Sequence, residues 1–173
     1  MNRKLKNEEL DRLSVSEFVR AEKAPIRVIL EDIRSMSNVG SVFRTADAFL
    51  IDELILCGIT GIPPHREIKK TALGATESVK WSYKESIVEA IYQSKKDGFT
   101  VLCAEQSIGS ISLAKLPIFE KIAIVLGNEV NGVSQAAIDQ SHGVVEIPQE
   151  GTKHSLNIAV ATGIVLWEIR RNL

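Results

Sequence analysis

Five short, mostly apolar runs, at residues 26–30, 53–57, 100–104, 121–126 and 144–147, most constrain how this chain can fold. They are continuous rather than alternating. A strand with one wet face alternates, whereas a continuous run belongs to a strand covered on both faces. Stretches of helical spacing lie between the runs. Val39, Val42, Phe43, Ala46 and Phe49 share one side of a helix that Asn38 can cap. Residues 84–96 predict a second helix, with Ile87, Val88, Ile91 and Tyr92 on one face and Gly98 past its end. Residues 134–141 predict a short third helix with a Ser134 cap, and Gly143 follows it. Strands alternating with helices predict an α/β fold, a largely parallel sheet flanked by helices. No repeat or low-complexity linker divides the 173 residues, so a single domain is expected.

The remaining segments are less regular. Residues 1–22 mix charges with Leu5, Leu10, Leu13, Phe18 and Val19 and read as a short helical lead-in. Residues 58–80 are rich in Gly, Pro and Thr and read as a loop. Residues 155–171 form a last helix, capped by Ser155, that is apolar nearly all round. Ile158, Ala159, Val160, Ala161, Ile164, Val165, Leu166, Trp167 and Ile169 all fall in it. Such a helix is buried on most sides or seated against a second subunit.

Composition excludes more than it proposes. The net charge is −1, so a nucleic-acid partner would need locally clustered cations. Cys57 and Cys103 sit in apolar runs and read as buried thiols, not as a disulfide framework. His65, His142 and His154 are scattered, without metal-ligand spacing. The charged first residues carry no secretory signal, and no apolar run approaches the ~18 residues of a membrane span. A soluble cytoplasmic protein is the expectation.

Three segments are richer in Gly, Asn, Ser and charge than a core requires, and each follows a predicted strand. Open α/β sheets bind ligands beyond the carboxyl ends of their strands, so the three could converge. The first runs from Asn38 to Asp47 and carries Arg44, about 200° around the helix from Val42 and so off the apolar stripe. The helix dipole prefers anions near its start, so Arg44 is not there for the dipole. A solvated arginine paired with Asp47 is the plain reading, and a phosphate- or hydroxyl-binding arginine the functional one. The second, Leu126-Gly127-Asn128-Glu129 through Gly132-Val133, is a strand running into a glycine turn that carries Glu129. It matches neither the dinucleotide nor the P-loop pattern. The third runs from Glu146 to Ala161 and places the polar Asn157 at the start of the apolar helix.

In order and separation, these segments resemble the motifs of the SpoU/TrmH family of RNA ribose 2′-O-methyltransferases, of the SPOUT class. Motif one resembles Asn38-Val39-Gly40-Ser41 with Arg44-Thr45-Ala46, motif two Leu126–Val133, and motif three Ile147-Pro148 through Ser155–Ala161. The resemblance implies a C-terminal trefoil knot, which physical rules alone would not propose. It also implies a homodimer with the cofactor cleft beside the subunit interface. The cofactor implied is S-adenosylmethionine and the partner RNA, either tRNA or rRNA.

By the same resemblance Arg44 activates the ribose hydroxyl, Asn38 shapes the site, and Glu129 and Asn157 orient the arginine and the substrate. Ser155 lies at cofactor or substrate. The cofactor falls to the chain around Ala104, Glu105, Gly127, Asn128, Ile147, Pro148, Ser155 and Leu156. Arginine, with a pKa above about 12, is a poor base. Electrostatic stabilisation of the developing alkoxide is therefore expected, with the proton leaving to water, Glu129 or phosphate. A basic group of His65, Arg66, Lys69, Lys70 and Lys80 beside Trp81 is either a solvated loop or a phosphate-tracking patch with a stacking platform. The rival function is a non-catalytic RNA-binding assembly factor, which would be expected to have damaged motifs. A different nucleotide-binding protein would be expected to carry a phosphate loop, and none is visible.

Overall fold

A computed structural model describes residues 2–173. Seven strands form one sheet: β1 Ala24–Glu31, β2 Ile51–Cys57, β3 Trp81–Lys84, β4 Thr100–Ala104, β5 Ile111–Ser112, β6 Ile122–Leu126 and β7 Gly143–Glu146. Their order is β3-β2-β1-β6-β4-β7-β5, and every pair is parallel. The helices are α1 Val15–Arg20, α2 Met36–Ala48, α3 Arg66–Ala72, α4 Ala75–Ser78, α5 Ile87–Lys96, α6 Gln135–Gln140 and α7 Ile158–Arg171.

The continuous apolar runs are explained by two cores. Ile26, Val28 and Leu30 of β1 pack with α2, α3 and α7 on one face, while Ile29 packs with α5 and α6 on the other. Phe43, fully buried, anchors the first core. Cys57 and Cys103 belong to the second. Burial, aided by Glu31 and Asp32, pushes the Cys57 thiol up to about 12, and burial pushes Cys103 up to about 11 against a Ser141 hydrogen bond. Both are therefore protonated and inert near neutrality. No helix among the described residues is long and apolar enough to cross a membrane.

Several elements differ from the sequence reading. Helix α2 starts at Met36, because Ser35 takes the cap and its Oγ accepts from the Asn38 N–H at 3.3 Å. Asn38 thus lies inside the first turn with its amide free for other work. The loop at 58–80 contains α3 and α4, whose Ile68, Ala72 and Ala75 are buried. These helices are too short to be stable alone and depend on packing. Gly40 permits that packing, since a Cβ there would overlap the Ile68 carbonyl oxygen and Thr71 Oγ1.

Residues 81–84 are an edge strand, so Lys84, expected to open a helix, ends that strand instead, and α5 begins at Ile87. Its inward face is Ala90, Ile91 and Ser94, while Val88 and Tyr92 are exposed, because small residues let this helix lie close to the sheet. Strand β5, two residues long, is too short to leave a pattern, and β7 ends at Glu146, leaving Ile147 outside. Asn157, not Ser155, caps α7, its Oδ1 accepting from the Ala159 N–H at 2.9 Å. Only one side of α7 is buried, and Val160, Ile164 and Trp167 are exposed. In the lead-in, the one six-residue helix buries Phe18 alone and leaves Val19 exposed, while Leu5, Leu10 and Leu13 before it are exposed too.

Candidate functional site

Three loops meet where β1, β6, β4 and β7 end, the position expected for a ligand in an open parallel sheet. The loop after β1 is fixed first. Glu31, buried, accepts from the Ser134 N–H at 2.9 Å, tying β1 to the start of α6. Asp32 adopts φ 54°, a conformation that Asp and Asn tolerate better than most residues. Its Oδ1 accepts from the Ile59 N–H at 2.9 Å, and its carbonyl accepts from Asn128 Nδ2 at 2.7 Å.

The loop after β6 closes on itself. Asn128 and Gly132 exchange main-chain hydrogen bonds of 3.0 and 2.9 Å. Asn128 Oδ1 accepts from the N–H groups of Val130 and Asn131 at 2.8 and 3.1 Å. A Cβ at Gly127 would overlap the Gly132 backbone, and one at Gly132, where φ is +68°, would overlap Glu105 Oε2. Glu105 in turn accepts from the Val133 N–H at 2.9 Å, so the end of β4 braces this loop.

Glu129 joins the motifs. Its carboxylate accepts from the N–H groups of Arg34 and Ser35 at 3.0 and 3.1 Å and from Asn38 Nδ2 at 3.2 Å. Asn38 Oδ1 accepts from Asn157 Nδ2 at 3.2 Å. Burial works against the Glu129 charge more than any other single cause. The N–H groups of Arg34, Glu129 itself and Ser35, with the Asn38 amide, outweigh it together and hold the carboxyl below its ordinary range.

Beside this junction lies a cleft. Of the residues expected at the cofactor, Ala104, Glu105, Gly127, Asn128, Ile147, Ser155 and Leu156 line it, and Pro148 does not. Leu126, Gln149, Ile158 and Ala161 complete its wall without having been anticipated. Gln106, also unanticipated, lines it and donates to the His154 carbonyl at 2.6 Å, pinning the loop before α7. The signal for Gln106 was only its place just past a strand end.

Of the residues expected at the chemistry, Asn38, Glu129 and Asn157 are brought together, and Ser155 stands on the cleft wall. Arg44 is not with them. It is exposed and lines a separate open cleft with Ser41, Thr45, Lys70, Thr71, Leu73, Ala159 and Val160. Glu129 therefore orients Asn38 and the loop at Arg34, not Arg44, within one chain. The basic group also separates. Lys70 faces the Arg44 cleft, whereas Lys80 pairs with Glu53 at 3.3 Å. Trp81 is half-buried, edge-on to Phe43 at 6.3 Å, so it is a packing residue and not a stacking platform.

The chain is similar to known proteins in both sequence and fold. The family model described as the SpoU rRNA Methylase family matches residues 25–167. An uncharacterized tRNA/rRNA methyltransferase of Borreliella burgdorferi is 30% identical over 99% of this chain and 75% of its own length. The 23S rRNA (guanosine-2′-O-)-methyltransferase RlmB of Neisseria meningitidis is 29% identical over 85% of this chain, which spans only 58% of that relative. Among solved structures, the AdoMet-bound rRNA methyltransferase of Sinorhizobium meliloti superposes with a TM-score of 0.80 at 27% identity, covering 88% of this chain and 58% of that one. The A. aeolicus TrmH/SpoU tRNA modifying enzyme, at 24% identity, shares the fold with a TM-score of 0.80 over 90% of this chain and 79% of its own.

Proposed function

The chain belongs to the SpoU rRNA Methylase family, and from that premise we propose that it transfers a methyl group from S-adenosylmethionine to a ribose 2′-hydroxyl of tRNA or rRNA. The observation that carries this reading is the hydrogen-bonded junction of Glu129, Asn38 and Asn157 beside a glycine-walled cleft.

The residues present fit the cofactor. Gly127 admits no side chain, so the wall there is backbone, which lets a ligand approach main-chain donors and acceptors closely. Ile147, Leu156, Ile158 and Ala161 offer an apolar surface for a flat base. When bound, S-adenosylmethionine supplies an electrophilic methyl on a sulfonium. The chain's task is to hold the accepting oxygen in line with that methyl, and such alignment accounts for much of the rate. Ser155, whose hydroxyl is free of partners among the described residues, and Asn157 would hold the ribose, while Glu129 keeps Asn38 and Asn157 in register. Arg44 would act as a fixed cation against the developing alkoxide.

We place that part of Arg44 across a subunit boundary. Six residues separate it from Asn38 on α2, about 9 Å along the axis at ~1.5 Å per residue. The clefts around Arg44 adjoin the exposed Val160 and Leu73 and the half-buried Phe49, and Ile164 and Trp167 continue the same apolar side of α7. A homodimer formed on this face would cover that apolar surface and bring the Arg44 of one chain to the junction of its partner. The C-terminal trefoil knot belongs to the same reading. In its favour, β6 enters between β1 and β4 after both have been laid down.

The test is incubation of the purified chain and Arg44→Ala with labelled S-adenosylmethionine and unmodified tRNA and rRNA transcripts. Label is expected in alkali-resistant dinucleotides, the mark of a 2′-O-methyl group. Arg44→Ala should lower it by about 10²-fold or more. Label released by alkali as mononucleotides would reject the ribose assignment. Cofactor binding with no transfer to any RNA would favour the assembly-factor role.

A further inference from the structure

The loop at residues 128–132 has a second side. Away from the cofactor cleft it walls another cleft, lined by Glu31, Asp32, Arg34, Ile59, Val130 and Asn131, with Asn128 and Gly132 common to both. Its chemistry is mixed in a specific way. Ile59 and Val130, 66% and 72% exposed, are aliphatic walls with nothing packed on them. Asp32 Oδ1 is used by the Ile59 N–H and Glu31 Oε2 by the Ser134 N–H, yet the second oxygen of each accepts nothing among the described residues. The side chains of Arg34 and Asn131 are exposed and likewise make no hydrogen bond.

Resting on the RNA reading above, we propose that this cleft holds a guanine base of the substrate strand, from a nucleotide flanking the methylated one. Two carboxylates at one site repel phosphate, so the groove does not track the RNA backbone. They suit a ligand edge made of N–H donors. Guanine alone among the bases presents an imino and an amino N–H side by side on its Watson–Crick edge, with a carbonyl oxygen beside them that the Asn131 amide can reach as donor. Unstacked bases are read in this manner, with the edge hydrogen-bonded and the faces against side chains. Arg34 stands at the rim, where it can meet the phosphate of the same nucleotide. Because the cleft lies across the loop from the cofactor, the base it holds belongs to a neighbour of the reacting ribose.

The test is fluorescence anisotropy of the whole chain with 5′-labelled hexauridylate and its derivatives carrying a single central G, A or C. The G hexamer is expected to bind about tenfold tighter than the others. Asp32→Asn keeps a residue tolerated at positive φ and keeps the Oδ1 acceptor for Ile59, but turns the free oxygen into an N–H donor. It should abolish the G preference and leave the affinity for hexauridylate unchanged. Asn131→Ala, on an exposed loop, should weaken the G hexamer alone. Equal affinities for all hexamers in the unaltered chain overturn the proposal, as does a G preference that survives both substitutions. If no hexamer binds at all, the proposal falls together with the RNA reading. No base preference in the unaltered chain, with RNA binding and methyl transfer intact, removes this site only.

Discussion

A carboxylate that accepts from two main-chain N–H groups and a side-chain amide is held in one orientation, and Glu129 is held so. The same contacts make its contribution to stability depend on pH. Its folded pKa lies below the ordinary value of 4.5, so its stabilising contribution is complete above that value and is lost as the pH falls through the lowered one. Glu129→Gln removes the charge and must turn an amide NH2 toward donors it cannot accept from. At neutral pH it should destabilise the chain by about 0.5–1 kcal/mol, a figure reduced for its exposure. Thermal melts of both proteins at pH 7 and at pH 3.5 would check this. The gap in melting temperature should narrow in acid, and a gap that stays constant would mean that the carboxylate charge contributes nothing. At this scale the sequence was informative about which side chains matter and silent about whom they touch. Asn38 and Glu129 could be picked out by type and place, but their hydrogen bond spans 91 residues. Glu31 and Asp32 carry no local sign of their roles, because their partners, Ser134 and Asn128, lie about a hundred positions away.

Elements were legible where burial is two-sided and illegible where tertiary contact decides. The strands at 26–30, 53–57, 100–104 and 121–126 stood out because both faces are covered, and the observed strands contain those runs apart from Lys121. The helices at 66–72 and 75–78 did not, since four to seven residues carry too little periodicity and their stability comes from α2. Gly40 makes the dependence testable. Its missing side chain is what lets α3 reach α2, and Thr71 Oγ1 then donates to the Ser37 carbonyl at 3.0 Å. Gly40→Val should push α3 outward and cost roughly 1–3 kcal/mol, the usual range for overpacking. Urea unfolding would show it as a lower midpoint with an unchanged slope. Because α3 carries Lys70 into the Arg44 cleft, RNA affinity should fall in the same variant while cofactor affinity holds. A variant as stable as the parent would mean that α3 is not seated through Gly40.

At the scale of the whole molecule, the separation of Arg44 from the Glu129–Asn38–Asn157 junction poses a question that two inactive variants can answer together. Suppose that Arg44 serves the junction of a partner chain, as the dimer reading requires. In a mixed dimer of Arg44→Ala with Glu129→Gln, one junction then keeps its own Glu129 and receives the intact Arg44 of the other chain, while the second junction carries both defects. Random assortment from equal amounts makes half the dimers mixed, and each has one working site of two. An equal mixture, unfolded and refolded together, should therefore recover about a quarter of the unaltered activity although each variant alone is nearly inactive. If Arg44 instead swings to the junction of its own chain, every site in every mixed dimer lacks one of the two groups and nothing is recovered. Trp167→Glu provides the companion measurement. It places a charge on the exposed side of α7, which carries Val160 and Ile164 and where Trp167 meets Phe49 edge-on at 6.5 Å. In the dimer reading the variant sediments as single chains, binds S-adenosylhomocysteine with the cleft intact, and transfers no methyl group. A Trp167→Glu chain that is monomeric and fully active would place the whole reaction within one subunit and leave the apolar side of α7 for another purpose.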